Sequence, residues 1–385
     1  MLMETLSRWI GGVNDVLWTY VLVAALLGCA VWFTLRTRGV QFRLLGEMMR
    51  VLGESAGSGP EGERHVSSFQ AFAVSLASRV GTGNLAGVAT AIVVGGPGAV
   101  FWMWVIALVG AASAFVESTL AQLYKRRGRD SFIGGPAYYM ERGLGRRWMG
   151  VLFAVLISVT FGFAFNSVQS NTICAAWEGA FGADRVWVGV VLTALTLLII
   201  FGGIRRIARV SGVIVPIMAG CYFVITLFII ATHLSSVPGV FARIFAEAFG
   251  LRQIAAGGFG AVLMNGVKRG LFSNEAGSGS APCAAAAADE SDPVKVGLVQ
   301  ALGVFIDTIV ICSCTAMIML LVPEELTTGL AGMDLLQKVM SYYMGEFGVV
   351  FIAVTLALFS FSTFLGILFY ARSNVAYLFG NRWIY

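Results

Sequence analysis

Gly81-Thr82-Gly83-Asn84 lies in the middle of an apolar stretch, 67–95, and a second stretch, 254–285, carries Gly270, Gly277-Ser278-Gly279-Ser280 and Pro282. Glycine costs about 1 kcal/mol at an interior helical position and proline about 3 kcal/mol, so two helices of this composition should break where these residues cluster. At membrane depth a break frees N–H and C=O groups that lipid cannot satisfy; it persists only where it lines a cavity or binds something. The half-helix that begins near Gly83–Asn84 presents unpaired N–H groups and the positive end of its dipole, which suits a carboxylate. The half-helix that ends near Ala77–Val80 presents carbonyl oxygens, which suit a small hard cation. One break can therefore hold an anionic group and a sodium-like ion side by side, a physical basis for cation-coupled uptake of a small carboxylate-bearing solute.

These residues need a membrane around them, and the composition supplies one. Of 385 residues, 58% are hydrophobic and 12% are charged, against roughly 45–50% and ~25% in soluble domains. With a mean hydropathy of +0.82, too few polar side chains remain to cover a water-facing surface. A cytosolic enzyme, a nucleic-acid binder and a disordered scaffold are excluded on that ground. A crossing takes ~20 apolar residues, and nine stretches qualify: 16–35, 67–95, 98–123, 148–177, 186–204, 210–233, 254–285, 294–322 and 346–371. No soluble domain separates them, so residues 1–385 read as a single transmembrane domain of an all-α integral membrane protein. An amphipathic piece around 40–50 should lie along the membrane surface, and another at 240–249 either caps an entrance or packs on the bundle. Glu4 and Asp15 precede the first apolar run, and no small-residue cleavage site follows it, so no signal peptide is expected. The six cysteines read as small packing residues.

Eighteen of the 26 Lys and Arg residues fall in gaps on one side of the predicted membrane and five on the other. The positive-inside rule then places the N-terminus outside and the C-terminus in the cytoplasm. The two interrupted stretches are the second and the seventh, five apart and oppositely directed. Glycine-rich interruptions in corresponding halves mark a transporter site. The reading is a 5+5 inverted repeat: an extra N-terminal helix at 16–35, five helices over 67–233, and the first three helices of an incomplete second repeat over 254–371.

The motifs Gly81-Thr-Gly-Asn-Leu-Ala-Gly-Val-Ala89, Gly95-Gly-Pro-Gly-Ala-Val-Phe-Trp-Met-Trp104, Gly134-Gly-Pro136 and Asn265-Gly-Val-Lys-Arg-Gly-Leu-Phe-Ser-Asn-Glu-Ala-Gly-Ser-Gly-Ser-Ala-Pro282 resemble the prokaryotic alanine or glycine–cation symporters. The resemblance runs from about residue 66 to the end. It implies a leucine-transporter-type fold and sodium-driven import of a small neutral amino acid across the cytoplasmic (inner) membrane, with sodium co-transported and no organic cofactor. The implied partners are that amino acid and the bilayer, with no nucleic acid; an oligomeric state is not encoded in any motif. Carried over residue by residue, Thr82, Gly83 and Asn84 of the first break touch the substrate. Asn166 and Gln169 match an Asn-x-x-Gln pattern. Phe272, Asn274 and Gly277 come from the second break, Phe272 as a wall of the side-chain pocket. The sodium ligands implied are the carbonyls of Ala77 and Val80 and the hydroxyls of Ser362 and Thr363.

Two departures stand out. Ile367 takes the place of a pocket-lining tryptophan, with Ala371 and Arg372 where the family has glycine and glutamate, so the pocket should admit a side chain larger than that of alanine. The chain also ends at Tyr385, just after the third helix of the second repeat, and so reads as C-terminally short, with a truncated, transport-inactive protein as the alternative. Arg79, Glu117, Lys268, Arg269, Glu275 and Asp307 are ionisable residues inside spans; each should face the bundle and pair, Glu275 with Lys268 or Arg269, while Asp307 and Glu117 could instead serve coupling or gating. An ion channel is the nearest rival reading. An intramembrane serine enzyme built on Gly277-Ser-Gly-Ser280 would need a base within ~3 Å, and His65 and His233 fall on opposite sides of the predicted membrane.

Overall fold

The computed structural model describes residues 2–57, 66–128, 131–201, 203–249, 259–327 and 329–380. They are helical almost throughout. The principal helices are α1 (Glu4–Arg36), α2 (Leu45–Gly57), α3 (Ser68–Arg79), α4 (Gly83–Gly95), α5 (Gly98–Leu123), α6 (Pro136–Leu144), α7 (Arg147–Phe181), α8 (Arg185–Ile200), α9 (Gly203–Thr232), α10 (Val237–Ala248), α11 (Phe259–Asn274), α12 (Ala281–Ala285), α13 (Pro293–Leu320) and α14 (Gly332–Phe379). A two-residue hairpin, Arg126–Arg127 (β1) against Phe132–Ile133 (β2), follows α5.

Among the described residues six helices are long and apolar enough to cross a membrane: α1, α5, α7, α9, α13 and α14. The other three expected stretches take different forms. Residues 67–95 are two helices, α3 and α4, parted at 80–82. The stretch 254–285 is α11 and α12, parted at 275–280, and its first residues, 254–258, lie outside the described residues. The stretch expected at 186–204 is α8, only 16 residues long. The span expected at 346–371 is the second limb of α14. Its first limb joins at Gly345, whose φ of 60° and ψ of −142° suit glycine alone.

Apolar side chains all round make these helices stable in lipid, and small residues let them approach. α5 is the central post. Ala107, Ala111 and Ala114 on it are fully buried against Leu298, Ala301 and Leu302 of α13. α11 lies on its other flank, where a Cβ at Gly266 would stand 2.5 Å from Ala99 O and 2.6 Å from Trp102 Cβ. The same closeness explains Gly270. It was expected to belong to the second break, but α11 runs through it because Gly270 sits tightly against Met103 and Ile106 of α5. The break begins five residues later, at Glu275.

α2 buries Met48 and Val51 against this assembly and exposes Met49, the one-sided pattern read around 40–50. α10 turns Val240, Ile244 and Ala248 inward, while Phe241 and Phe245 face out. It packs on the start of α5, where Trp102 Nε1 donates to Ala248 O at 3.3 Å and Phe101 meets Phe249 with ring centres 4.8 Å apart. Of the cysteines, Cys174, Cys283, Cys312 and Cys314 are buried; Cys29 and Cys221 are exposed on helix faces, so packing does not account for those two.

Valine at Gly266 must push backbone apart rather than turn a flexible side chain. Overpacking of this kind costs about 1–3 kcal/mol. Gly266→Val should lower the thermal unfolding midpoint of the detergent-solubilised protein by several degrees, whereas Gly12→Val, at a position open to its surroundings, should leave it near the wild-type value.

Candidate functional site

α3 starts with a capping box: Gln70 N donates to Ser67 Oγ, and Ser67 N to Gln70 Oε1. It ends when Val80 turns to ψ 92°. In a continuing helix Gly81 N would bond to Ala77 O. Instead Gly81 N donates to Asn84 Oδ1 at 3.0 Å, and the Asn84 side chain holds the break open. The freed carbonyls face α14. Thr363 Oγ1 lies 3.0 Å from Ala77 O, 3.1 Å from Val80 O and 2.9 Å from Phe359 O. A threonine hydroxyl has one proton to donate, so the two freed carbonyls, Ala77 O and Val80 O, compete for a single buried donor. Such an excess of oxygen acceptors suits a hard monovalent cation. A Cβ on Gly81 would stand 2.5 Å from Thr363 Oγ1, so glycine there is what admits the hydroxyl. Ser362, expected beside Thr363, is buried but donates along its own helix to Phe359 O at 2.8 Å. The structure brings Thr363, Ala77 and Val80 together and leaves Ser362 facing away.

α4 restarts the chain at Gly83 with no side-chain cap at its N-terminus. Thr82 N donates to Gln169 Oε1 of α7 at 3.2 Å, so Gln169 meets the break as expected. Asn166, one turn earlier, does not. Its amide nitrogen donates to Phe161 O and Gly162 O, each at 3.0 Å, because a wider π turn over Thr160–Phe165 has released those carbonyls. The two breaks meet at Gly83, where a Cβ would lie 3.3 Å from the Phe272 ring. Phe272 stacks on Phe165 with centres 5.4 Å apart, and Phe165 on Phe161 at 4.7 Å, an aromatic wall across the junction. Ile367 is fully buried in an apolar cluster with Val74, Ile157 and Phe161, on the side of that wall.

The second break is held by acids. Asp307 of α13 accepts from Asn84 Nδ2 at 2.6 Å, Ser273 Oγ at 2.8 Å and Thr308 Oγ1 at 2.8 Å. It ties the first break to the end of α11 and α13. Asn274 Nδ2 joins the same group through Thr308 Oγ1 at 3.3 Å. Further along, Glu117 of α5 accepts from Gly277 N and Gly279 N, each at 3.2 Å. Gly277 is thus seated against α5, near Leu26 and Ser113, and not with Thr82 and Gln169. Glu275 does not pair with Lys268 or Arg269; it accepts from Ser78 Oγ at 3.1 Å and Ser280 Oγ at 2.6 Å. Lys268, two turns before the break, donates instead to Thr19 of α1 at 3.0 Å. Where the segment ends, Gln122 Nε2 and Lys125 Nζ of the α5 terminus donate to Ala288 O at 3.1 and 2.9 Å. Partial burial pushes the Lys125 ammonium below its ordinary pKa.

Asp307, Glu117 and the Ser78–Glu275–Ser280 group organise the site, yet spacing alone did not assign them to it; the available signal was their charge inside apolar runs. Asp307→Leu should strand the Asn84 amide and two hydroxyls and lower the unfolding midpoint strongly, while Asp307→Asn, which keeps one acceptor, should cost clearly less. An unmet buried donor costs about 1–3 kcal/mol. Equal midpoints for the two variants would show that Asp307 is not the clasp.

Comparisons with known proteins identify the family to which the chain is related. The Sodium:alanine symporter family matches residues 3–385. The chain is 50% identical over 375 residues to the probable sodium/glutamine symporter GlnT of Bacillus subtilis, covering 97% of this chain and 78% of that one. It is 51% identical over 365 residues to the amino-acid carrier protein AlsT of Bacillus subtilis, covering 95% and 77%. It is 37% identical over 380 residues to the sodium/alanine symporter AgcS of Methanococcus maripaludis, covering 97% and 83%. The expectation of a C-terminally short chain is not borne out by the family match, which runs to residue 385, and the chain covers 77–83% of the length of these three relatives. With long apolar helices and a match over residues 3–385, the chain belongs to the sodium:alanine symporter family, multi-pass membrane transporters and not enzymes.

Proposed function

We propose that the protein is a sodium-coupled symporter that imports a small neutral amino acid of the alanine or glycine class by alternating access. The observation that carries this reading is the position of Thr363 Oγ1 between Ala77 O and Val80 O. It supports an oxygen-only seat for sodium beside the uncapped N-terminus of α4. The positive end of the helix dipole there favours the substrate carboxylate. Thr82, Gly83 and Gln169 contact the main-chain end of the amino acid, and Phe272 and Ile367 bound its side chain. Asn84 and Asn274 hold the two breaks in register around it. Asn166 and Gly277 act one shell further out, through the α7 turn and through Glu117.

The order of elements supports an inverted repeat. A broken pair followed by a long helix occurs as α3–α4 then α5, and again as α11–α12 then α13. On this reading α1 is the extra helix, 67–233 is the first repeat, and 254–371 holds the first three helices of the second. The loop charges support a topology in the inner membrane with the N-terminus outside and the C-terminus cytoplasmic.

Purified protein in liposomes should accumulate labelled alanine down an inward sodium gradient, and unlabelled alanine inside should speed its entry. Absence of that acceleration would favour a pore. Thr363→Val removes the hydroxyl at constant shape and should raise the half-saturating sodium concentration at least tenfold. An unchanged sodium dependence in a well-folded variant would remove the cation seat. Valine and glutamine should both compete with alanine if Ile367 leaves a roomy pocket; competition by glycine and alanine alone would show a tight one.

A further inference from the structure

Arg79 is the last residue of α3, on the same turn as the Ala77 and Val80 carbonyls, and its side chain is 3% exposed. Nη1 donates to Gln300 O of α13 at 3.2 Å. Nε and Nη2 are buried with no acceptor, and both amide atoms of the fully buried Gln300 also lack a partner. Among the described residues no carboxylate lies within 4.0 Å of its nitrogens. Three acids that hold the second break surround this turn: Glu275 accepts from the adjacent Ser78 at 3.1 Å, Asp307 stands one helical turn beyond Gly303 on α13, and Glu117 accepts from Gly277 N and Gly279 N. The guanidinium lies along α13 at Gly303, where a Cβ would stand 2.5 Å from Nη1.

A buried arginine normally satisfies its five donors and takes a carboxylate. Here the donors are unspent and the acids are near but out of reach. That arrangement is sensible in a protein whose buried charge changes during its cycle. A neutral amino acid is a zwitterion, so the load adds one net positive charge, that of sodium, beside Arg79. Two like charges on one turn repel strongly in a dry interior. Once sodium leaves, the acids lose a compensating charge, and the empty protein must still close and reorient.

We propose that Arg79 is the internal counter-charge of the unloaded transporter: after sodium departs, its guanidinium leaves Gln300 and pairs with the Glu117, Glu275 and Asp307 group, so that the empty protein can return. The proposal rests on the symport reading above. It makes Arg79 a positioning residue that never touches the substrate. It also gives Gly303 a purpose, since the glycine keeps the surface beside the guanidinium clear in the loaded state.

The test separates net uptake, which needs the empty return, from exchange of labelled for unlabelled alanine, which does not. Wild-type protein in liposomes should do both; failure of both would overturn the symport reading itself. Arg79→Gln should lose at least tenfold in net sodium-driven uptake and stay within twofold of wild type in exchange. Arg79→Lys, which keeps the charge, should recover part of the net uptake. Gly303→Ala leaves Arg79 in place but crowds it off Gln300 toward the acids, and should raise the half-saturating sodium concentration at least threefold with maximal exchange unchanged. Equal loss of uptake and exchange in Arg79→Gln, with no recovery in Arg79→Lys, or unchanged sodium dependence in Gly303→Ala, would overturn the proposal and leave Arg79 a static, water-bridged strut.

Discussion

Every backbone N–H and C=O inside a bilayer must find a partner within the protein, and two helices of this protein decline to supply their own. At 80–82 and 275–280 the i to i+4 ladder stops, and the surrounding structure is organised around what replaces it. Unpaired peptide groups in hydrocarbon cost several kcal/mol each. The replacements are correspondingly specific: the Asn84 amide for Gly81 N, Gln169 for Thr82 N, Thr363 for two carbonyls, and Glu117 for Gly277 N and Gly279 N.

These substitutes are unequal, and the inequality points to function. The second break is closed by carboxylates and serines that satisfy it almost fully. At the first, one hydroxyl proton stands before two freed carbonyls, and the N-terminus of α4 has no side-chain cap. A fully satisfied break is a hinge; an under-satisfied one invites a ligand. The clasp of Asn84, Ser273 and Asp307 couples the two breaks structurally. Rigid helices carry that coupling, and α5, lined with alanines and glycines, is the surface against which α11 and α13 are packed.

The first break was legible because its cause is local. Four residues of low helix propensity and small volume in an apolar run stop a helix wherever it is placed. Gly270 was misassigned for the complementary reason: the same residue type also serves close packing, and only the neighbour across the interface, Ile106, tells the two uses apart. Glu275 was given to Lys268 because they are near in sequence. α11 runs on as helix to Asn274, which sends Lys268 to α1, while the positive φ of Glu275 turns its carboxylate to Ser78. Ser362 and Thr363 are adjacent and chemically alike, and a helix rotates them about 100° apart, so only one can face α3.

Residue types by themselves determined that this chain lives in lipid, where its helices break, and that the broken ends suit a carboxylate and a hard cation, because propensity, hydropathy and the dipole of a helix end are properties of short segments. Which hydroxyl meets the carbonyls, which acids clasp the breaks, and that the buried Arg79 has no carboxylate within 4.0 Å among the described residues were decided by tertiary structure alone. Those contacts join residues more than 200 positions apart, such as Asn84 with Asp307 and Arg79 with Gln300, and depend on the rotation and closeness of helices that no local pattern specifies.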